Sequence, residues 1–271
     1  MKILICVGGL PFAEPTLKFG NLVAALSASE VTLLTVVDGR VKKKDAAAML
    51  ARARELIDVP VDQIKVRKGQ SVEEIIEETY NLGYDMIVVG ARVMNRFTQL
   101  LLRSVTQQVT KRVAVSVLVV KEERPSLKRI LICTGGQKLN KTVIERGTQL
   151  AQAAQADAQL LYVAGPIPGM YSGLEDMDET LPELLRTNTP IAKHLRWAAR
   201  YLAEHSVAGE IKVRRGVVSE EILREAAEGD YDLIVIGART EMSLLNELLM
   251  EKVTPQIVEH APSSVLVVRD K

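Results

Sequence analysis

Short runs that are apolar at every position alternate along this chain with longer stretches whose apolar residues return every three or four positions. Met86-Ile87-Val88-Val89 is of the first kind. A strand with one wet face would alternate, so an unbroken run predicts a strand covered on both faces, as in a parallel sheet flanked by helices. The pattern predicts strands near 2–7, 31–37, 62–67, 85–90 and 116–121, with helices near 14–27, 43–57, 71–82 and 97–112 between them. Strand–helix–strand alternation at this spacing gives right-handed βαβ units and a doubly wound α/β domain. Ser71-x-x-Glu74 predicts a capping box before Ile75-Ile76, and Gly83 suits a left-handed turn closing that helix.

The order then repeats. KILICVGG at 2–9 returns as KRILICTGG at 128–136, and the segment 67–92 returns at 214–239. VLVV at 117–120 returns at 265–268. The offset is 127 at Ile3/Ile130, 147 at Gly90/Gly237 and 148 at Val117/Val265, so the second copy holds 20 extra residues (147 − 127). They lie between its second strand and second helix, from Gly165-Pro166-Ile167-Pro168-Gly169 to Leu181-Pro182, where two Pro and two Gly in five residues forbid regular structure. Two copies in 271 residues mean a domain duplication, with boundaries at 1–122 and 127–271 and a short polar linker containing Pro125. Second-copy strands are predicted near 128–134, 158–163, 210–214, 232–237 and 264–269. The last strands, 116–120 and 264–268, are apolar runs that would each end a sheet as a bare edge, so they are expected to pair with each other.

Composition narrows the function. Hydrophobic residues make up 47% and charged residues 25%, ordinary for a soluble globular protein, and a net charge of +1 argues against a nucleic-acid surface. Apolar runs fall short of the roughly 18–20 residues of a membrane span, so a cytoplasmic protein is expected. Cys6 and Cys133 occupy equivalent strand positions without CxxC or Cys/His spacing, which reads as buried filler rather than a redox or metal site. The acids Glu175, Asp176, Asp178, Glu179 and Glu183 lack calcium-loop spacing and read as solvated residues before a helix. His194, Trp197 and Tyr201 share one helix face, a packing pattern. Lys42-Lys43-Lys44 reads as a solvated helix start.

Glycine marks the candidate site. Gly8-Gly9 and Gly135-Gly136 follow the first strands, where a glycine pair forms either an anion-binding nest at the carboxyl end of a parallel sheet or a tight turn. Gly90 and Gly237 close the fourth strands, and Arg92 and Arg239 recur just beyond them, as fit for a salt bridge as for a ligand.

Arg-x-Gly before a helix, Tyr-Asp-Leu-Ile-Val-Ile-Gly-Ala-Arg, a further helix and Val-Leu-Val-Val, twice in order, make the whole chain resemble the universal stress protein family. The ending Glu259-His260-Ala261-Pro262-Ser263-Ser264 is also similar to it. The resemblance implies two tandem Rossmann-like domains of the adenine nucleotide alpha hydrolase-like kind, each a five-stranded parallel sheet flanked by helices. It implies their pairing as a pseudo-dimer through the last strands and a cytoplasmic stress-response role; whole chains are further expected to form a homo-oligomer (a dimer) and to act through unknown protein partners.

Some family members bind ATP. In those, the fourth strand leads into Gly-x-x-Gly, nine residues and Gly-Ser/Thr, where bare backbone closes on phosphate, and an Asp after the first strand contacts adenosine. Here the second glycine is Val93 and the third Arg103, with Ser104 kept in register. In copy two they are Thr240 and, one residue late, Glu251-Lys252. Gly8 and Gly135 stand at the Asp position. A β-carbon obstructs contact with phosphate, while Arg103 offers a cation in exchange. The expectation is a non-enzymatic regulatory protein with no required cofactor and at most weak ATP or AMP binding, favoured in copy one by Arg103 and Ser104. The alternatives are a nucleotide binder of divergent design and, more remotely, an adenylating or ATP-pyrophosphatase-type enzyme, whose Ser-Gly-Gly-x-Asp-Ser loop both Gly-Gly segments only partly match.

Overall fold

The computed structural model describes residues 1–38, 43–91, 105–135, 139–165, 181–238 and 253–270. The chain divides into two compact units, Met1–Ser126 with Ser263–Lys271, and Leu127–Pro262.

Unit 1 contains β1 (Lys2–Cys6), α1 (Glu14–Leu26), β2 (Glu30–Val37), α2 (Lys43–Glu55), β3 (Val61–Lys68), α3 (Ser71–Leu82), β4 (Met86–Gly90), helical residues 105–112 (α4) and β5 (Ser116–Val120). The chain's last strand, β10 (Ser264–Val268), completes it, and the sheet order is β3-β2-β1-β4-β5-β10. β1 to β5 are parallel and β10 is antiparallel to β5. Ile3, Leu4, Ile5, Ile87 and Val88 are completely buried, the two-sided burial that unbroken apolar runs require.

The predicted pairing of 116–120 with 264–268 is present, with Val265 opposite Val119, Leu266 opposite Leu118 and Val267 opposite Val117. Two equivalent serines close its ends: Lys121 N donates to Ser264 Oγ and Arg269 N to Ser116 Oγ, both at 3.2 Å. The Arg269 guanidinium donates to the carbonyls of Thr110 and Val115, and burial pulls its pKa below the usual arginine range. Compactness thus groups Ser263–Lys271 with unit 1, although the sequence repeat runs on to 271.

Unit 2 contains β6 (Arg129–Thr134), α5 (Leu139–Ala154), β7 (Asp157–Ala164), α6 (Leu181–Arg186), α7 (Pro190–Glu204), β8 (Gly209–Arg215), α8 (Val218–Glu228), β9 (Leu233–Gly237) and α9 (Val253–His260). Its strands are parallel in the order β9-β6-β7-β8. Thr189 caps α7 by accepting from Ala192 N at 3.3 Å, with Pro190 pre-set for the first helical position.

Gly83 closes α3 at φ 65° and ψ 38°, the left-handed turn predicted there. The capping box is not formed. The N-cap is Gln70, Ser71 is already helical and donates its hydroxyl to the Asp38 carboxylate, and Glu74 accepts from Arg67 Nε at 2.6 Å. A guanidinium–carboxylate bond outcompetes the reach back to a neutral backbone N–H.

Candidate functional site

The ends of β1 and β4 lie side by side, because the strands pair in parallel with Ile5 beside Val88. That places Gly8, Gly9 and Gly90 on one carboxyl edge of the unit 1 sheet, where ligands of open α/β sheets bind. The β1 end is held by Val7 N donating to Leu34 O at 2.8 Å and by Thr35 Oγ1 donating to Val7 O at 2.9 Å. Gly8 is exposed, and no atom lies within 4 Å of where a Cβ would stand on Gly8 or Gly9. Gly9 adopts φ 137°, which L side chains rarely take up, and its carbonyl accepts from Ala13 N at 2.8 Å at the start of α1. The loop is a turn with open backbone. Gly90 differs. A Cβ there would meet Thr16 Oγ1 at 2.4 Å, so its smallness serves the packing of α1 on β4, and its carbonyl accepts from Thr106 Oγ1 at 2.9 Å. Arg92, Arg103 and Ser104 lie outside the described residues.

In unit 2, β6 and β9 pair with Ile132 beside Val235, which brings Gly135 and Gly237 to the matching edge. Gly136 and Arg239 lie outside the described residues. This edge carries what copy one lacks: Thr134, in the place of Val7, shares a 2.8 Å hydrogen bond with His194 Nε2 on α7. His194 is buried, and burial together with Lys141 lowers its pKa. The sequence placed His194 on a packing face, and the ring stack does continue along α7, with centroids 5.7 Å apart to Trp197, 5.4 Å on to Tyr201 and 4.1 Å on to His205. Lys141 Nζ stands 5.1 Å over the Trp197 ring. The bond to Thr134 could not be read from helical spacing, since it depends on which strand the helix crosses.

Both cysteines are free thiols. Burial, with a smaller push from Glu78, raises Cys6 to about 12, and burial with Glu225 raises Cys133. Neither forms a thiolate near neutral pH, in keeping with the filler reading.

A second constellation escaped the sequence reading. Glu78, at 2% exposure, accepts from Lys65 Nζ at 2.7 Å, Arg67 Nη1 at 2.9 Å and Tyr84 Oη at 3.0 Å. The same four side chains recur 147 residues later. Glu225 pairs with Lys212 at 2.7 Å and Arg214 at 2.6 Å and accepts from Tyr231 Oη at 2.8 Å. Burial alone would raise both carboxylates, but these hydrogen bonds outweigh it and hold each below its ordinary value. The network ties β3 to α3 and β8 to α8. Its available signal was Lys-x-Arg on a strand followed by Glu, repeated at one offset.

The family of this chain follows from the sequence comparisons. The model of the universal stress protein family matches residues 1–121 and again 126–269. The chain belongs to the universal stress protein family. A universal stress protein of Methanothermobacter thermautotrophicus is 25% identical over 142 residues, covering 52% of this chain and 95% of the relative. Universal stress protein YxiE of Bacillus subtilis is 26% identical over 149 residues, covering 52% and 98%. Each relative therefore spans about one copy. The solved universal stress protein of Archaeoglobus fulgidus aligns over 99% of this chain and 98% of its own, with a TM-score of 0.72 at 16% identity, a likeness of fold. Among the described residues, no helix is long and apolar enough to cross a membrane.

Proposed function

We propose that this chain is a non-enzymatic regulatory protein of the stress response that works in the cytoplasm through protein partners and self-association. The observation that carries the reading is the state of the reactive groups at the sheet ends. The Cys6 thiol is pushed to about 12, the Cys133 thiol is raised by burial, and His194 is engaged by Thr134. A nucleophile needs a lowered pKa or an adjacent base, and these groups are arranged the other way. Incubation of the whole chain with ATP and magnesium tests it. No AMP and pyrophosphate should form beyond the protein-free control, and catalytic turnover overturns the reading.

A second reading has its own support. The open backbone at Gly8-Gly9 favours weak ATP or AMP binding in copy one, where Arg103 replaces a phosphate-cradling glycine with a cation. Native mass spectrometry of freshly purified protein distinguishes the two, since a retained nucleotide favours the divergent site.

A further inference from the structure

We infer that β3 is a docking edge for the β3 of a second copy of this chain, the two strands joining antiparallel about a twofold axis at Lys65. This names the surface of the self-association proposed above and rests on that reading. β3 ends the sheet of unit 1. Alternation puts Ile64, Val66 and Lys68 on one face, and Asp62 precedes them at the register shift between β2 and β3. All four are exposed, Ile64 at 50% and Val66 at 49%. An edge strand with apolar side chains in water is a template for another strand.

The pattern of the strand is self-complementary. A twofold axis normal to the sheet preserves its faces, so only residues of the same parity can oppose each other. With the axis on Lys65, Ile64 faces the second copy's Val66, and Asp62 faces the second copy's Lys68. Each contact occurs twice, an apolar pair flanked by an ion pair. On the other face Lys65 meets its own copy, but its ammonium is 2.7 Å from Glu78, and Arg67 is held by Glu74 at 2.6 Å. Those charges are compensated within each chain. The β5–β10 pair already joins equivalent strands in this manner, with Leu118 opposite its counterpart Leu266.

The other copy shows the same apolar pair covered. Ile211 and Val213, the equivalents of Ile64 and Val66, are half-buried on β8, over which α6 and α7 pack. The described residues of unit 1 include no helix corresponding to α6. Asp62 is replaced by Gly209, so β8 also lacks the charge pattern.

Size-exclusion chromatography with light scattering on the whole chain tests this. The parent should run at about twice the chain mass of 29.8 kDa or a multiple of that. Lys68→Asp sets two carboxylates against each other and should halve the mass, and adding Asp62→Lys should restore it. Because Asp62 also accepts from Val31 N at 3.0 Å, Ile64→Lys with Val66→Lys serves as a second disruptor, with folding checked by circular dichroism. A parent at single-chain mass overturns both self-association and its surface. A multimeric parent whose mass neither disruptor changes overturns the β3 surface alone. A folded charge-swap variant that stays at the halved mass overturns the register.

Discussion

The two copies anchor their outer strands with one device and finish their inner strand ends with two. Glu78 and Glu225 each gather a lysine, an arginine and a tyrosine at the same 147-residue spacing. At the carboxyl edge the copies differ: Val7 precedes open glycine backbone in one, and Thr134 holds the buried His194 in the other. A buried polar network is costly when half satisfied, so its members are retained together or not at all. The carboxyl edge carries no such shared linkage: buried Val7 is apolar and makes no side-chain hydrogen bond, whereas buried Thr134 bonds to His194, so the two copies differ there. The periphery of the network shows the same rule. Arg67 also pairs with Glu77 at 3.0 Å, a position that is Arg224 in copy two, while Arg214 reaches Glu228 instead.

The largest effect should come from breaking that shared device. Glu78→Leu and Glu225→Leu each leave a lysine and a tyrosine without their carboxylate, while the arginine keeps its bonds to Glu74 and Glu77 in one copy and to Glu221 and Glu228 in the other. Removing one partner of a buried pair costs about 3–5 kcal/mol, and the lower end applies here because Lys65 and Arg67 are each 24% exposed. Urea unfolding should show losses of about 3 kcal/mol in each variant. A loss in only one copy would mean that the two networks are not equivalent.

Next is Gly90→Ala, whose Cβ would stand 2.4 Å from Thr16 Oγ1. Overpacking of this kind costs about 1–3 kcal/mol. Thr16→Ala in the same chain should recover most of it, and failure to recover would return Gly90 to consideration as a ligand-binding glycine. A smaller loss, roughly 1–2 kcal/mol, should follow Thr134→Val, which strands the His194 ring nitrogen without its partner.

How much of this was legible in the sequence depends on whether the deciding contact was local. Two-sided apolar runs placed β1, β4, β5 and β10 closely, and Gly83 announced its turn, because backbone and burial act within a few residues. The pairing of β5 with β10 was also readable, since an apolar edge must be covered. The capping box failed because Glu74 was drawn to Arg67 on the preceding strand. Glu78 carries no local signal of its own, since nothing in the 3.6-residue period says that a strand lysine and arginine will bury it. Thr16 against Gly90 and Thr134 against His194 join positions far apart in the chain, which a linear pattern does not pair.

The smallest effect is a pH dependence. Burial lowers the folded-state pKa of His194 from its ordinary 6.5, so the unfolded chain binds the proton first as pH falls. His194 therefore costs no stability above pH 6.5 and should destabilise the fold progressively below it, ahead of the carboxylates Glu78 and Glu225, whose lowered values act below their ordinary 4.5. His194→Leu should flatten the decline just below pH 6.5 while leaving the acid limb in place. An unchanged slope in that window would show that His194 titrates as it does in the unfolded chain.

The functional difference between this chain and the nucleotide-binding pattern is tested most directly by titrating ATP calorimetrically into the whole chain and into Val93→Gly/Arg103→Gly. The whole chain is required, because β10 belongs to the unit 1 sheet and would be lost from an isolated first copy. Weak or undetectable binding by the parent is expected, with a gain of about tenfold or more on restoring the two glycines, equivalent to about 1.4 kcal/mol. Tight binding by the parent that weakens in the folded double variant would contradict this expectation, and would make Arg103 part of a working phosphate site.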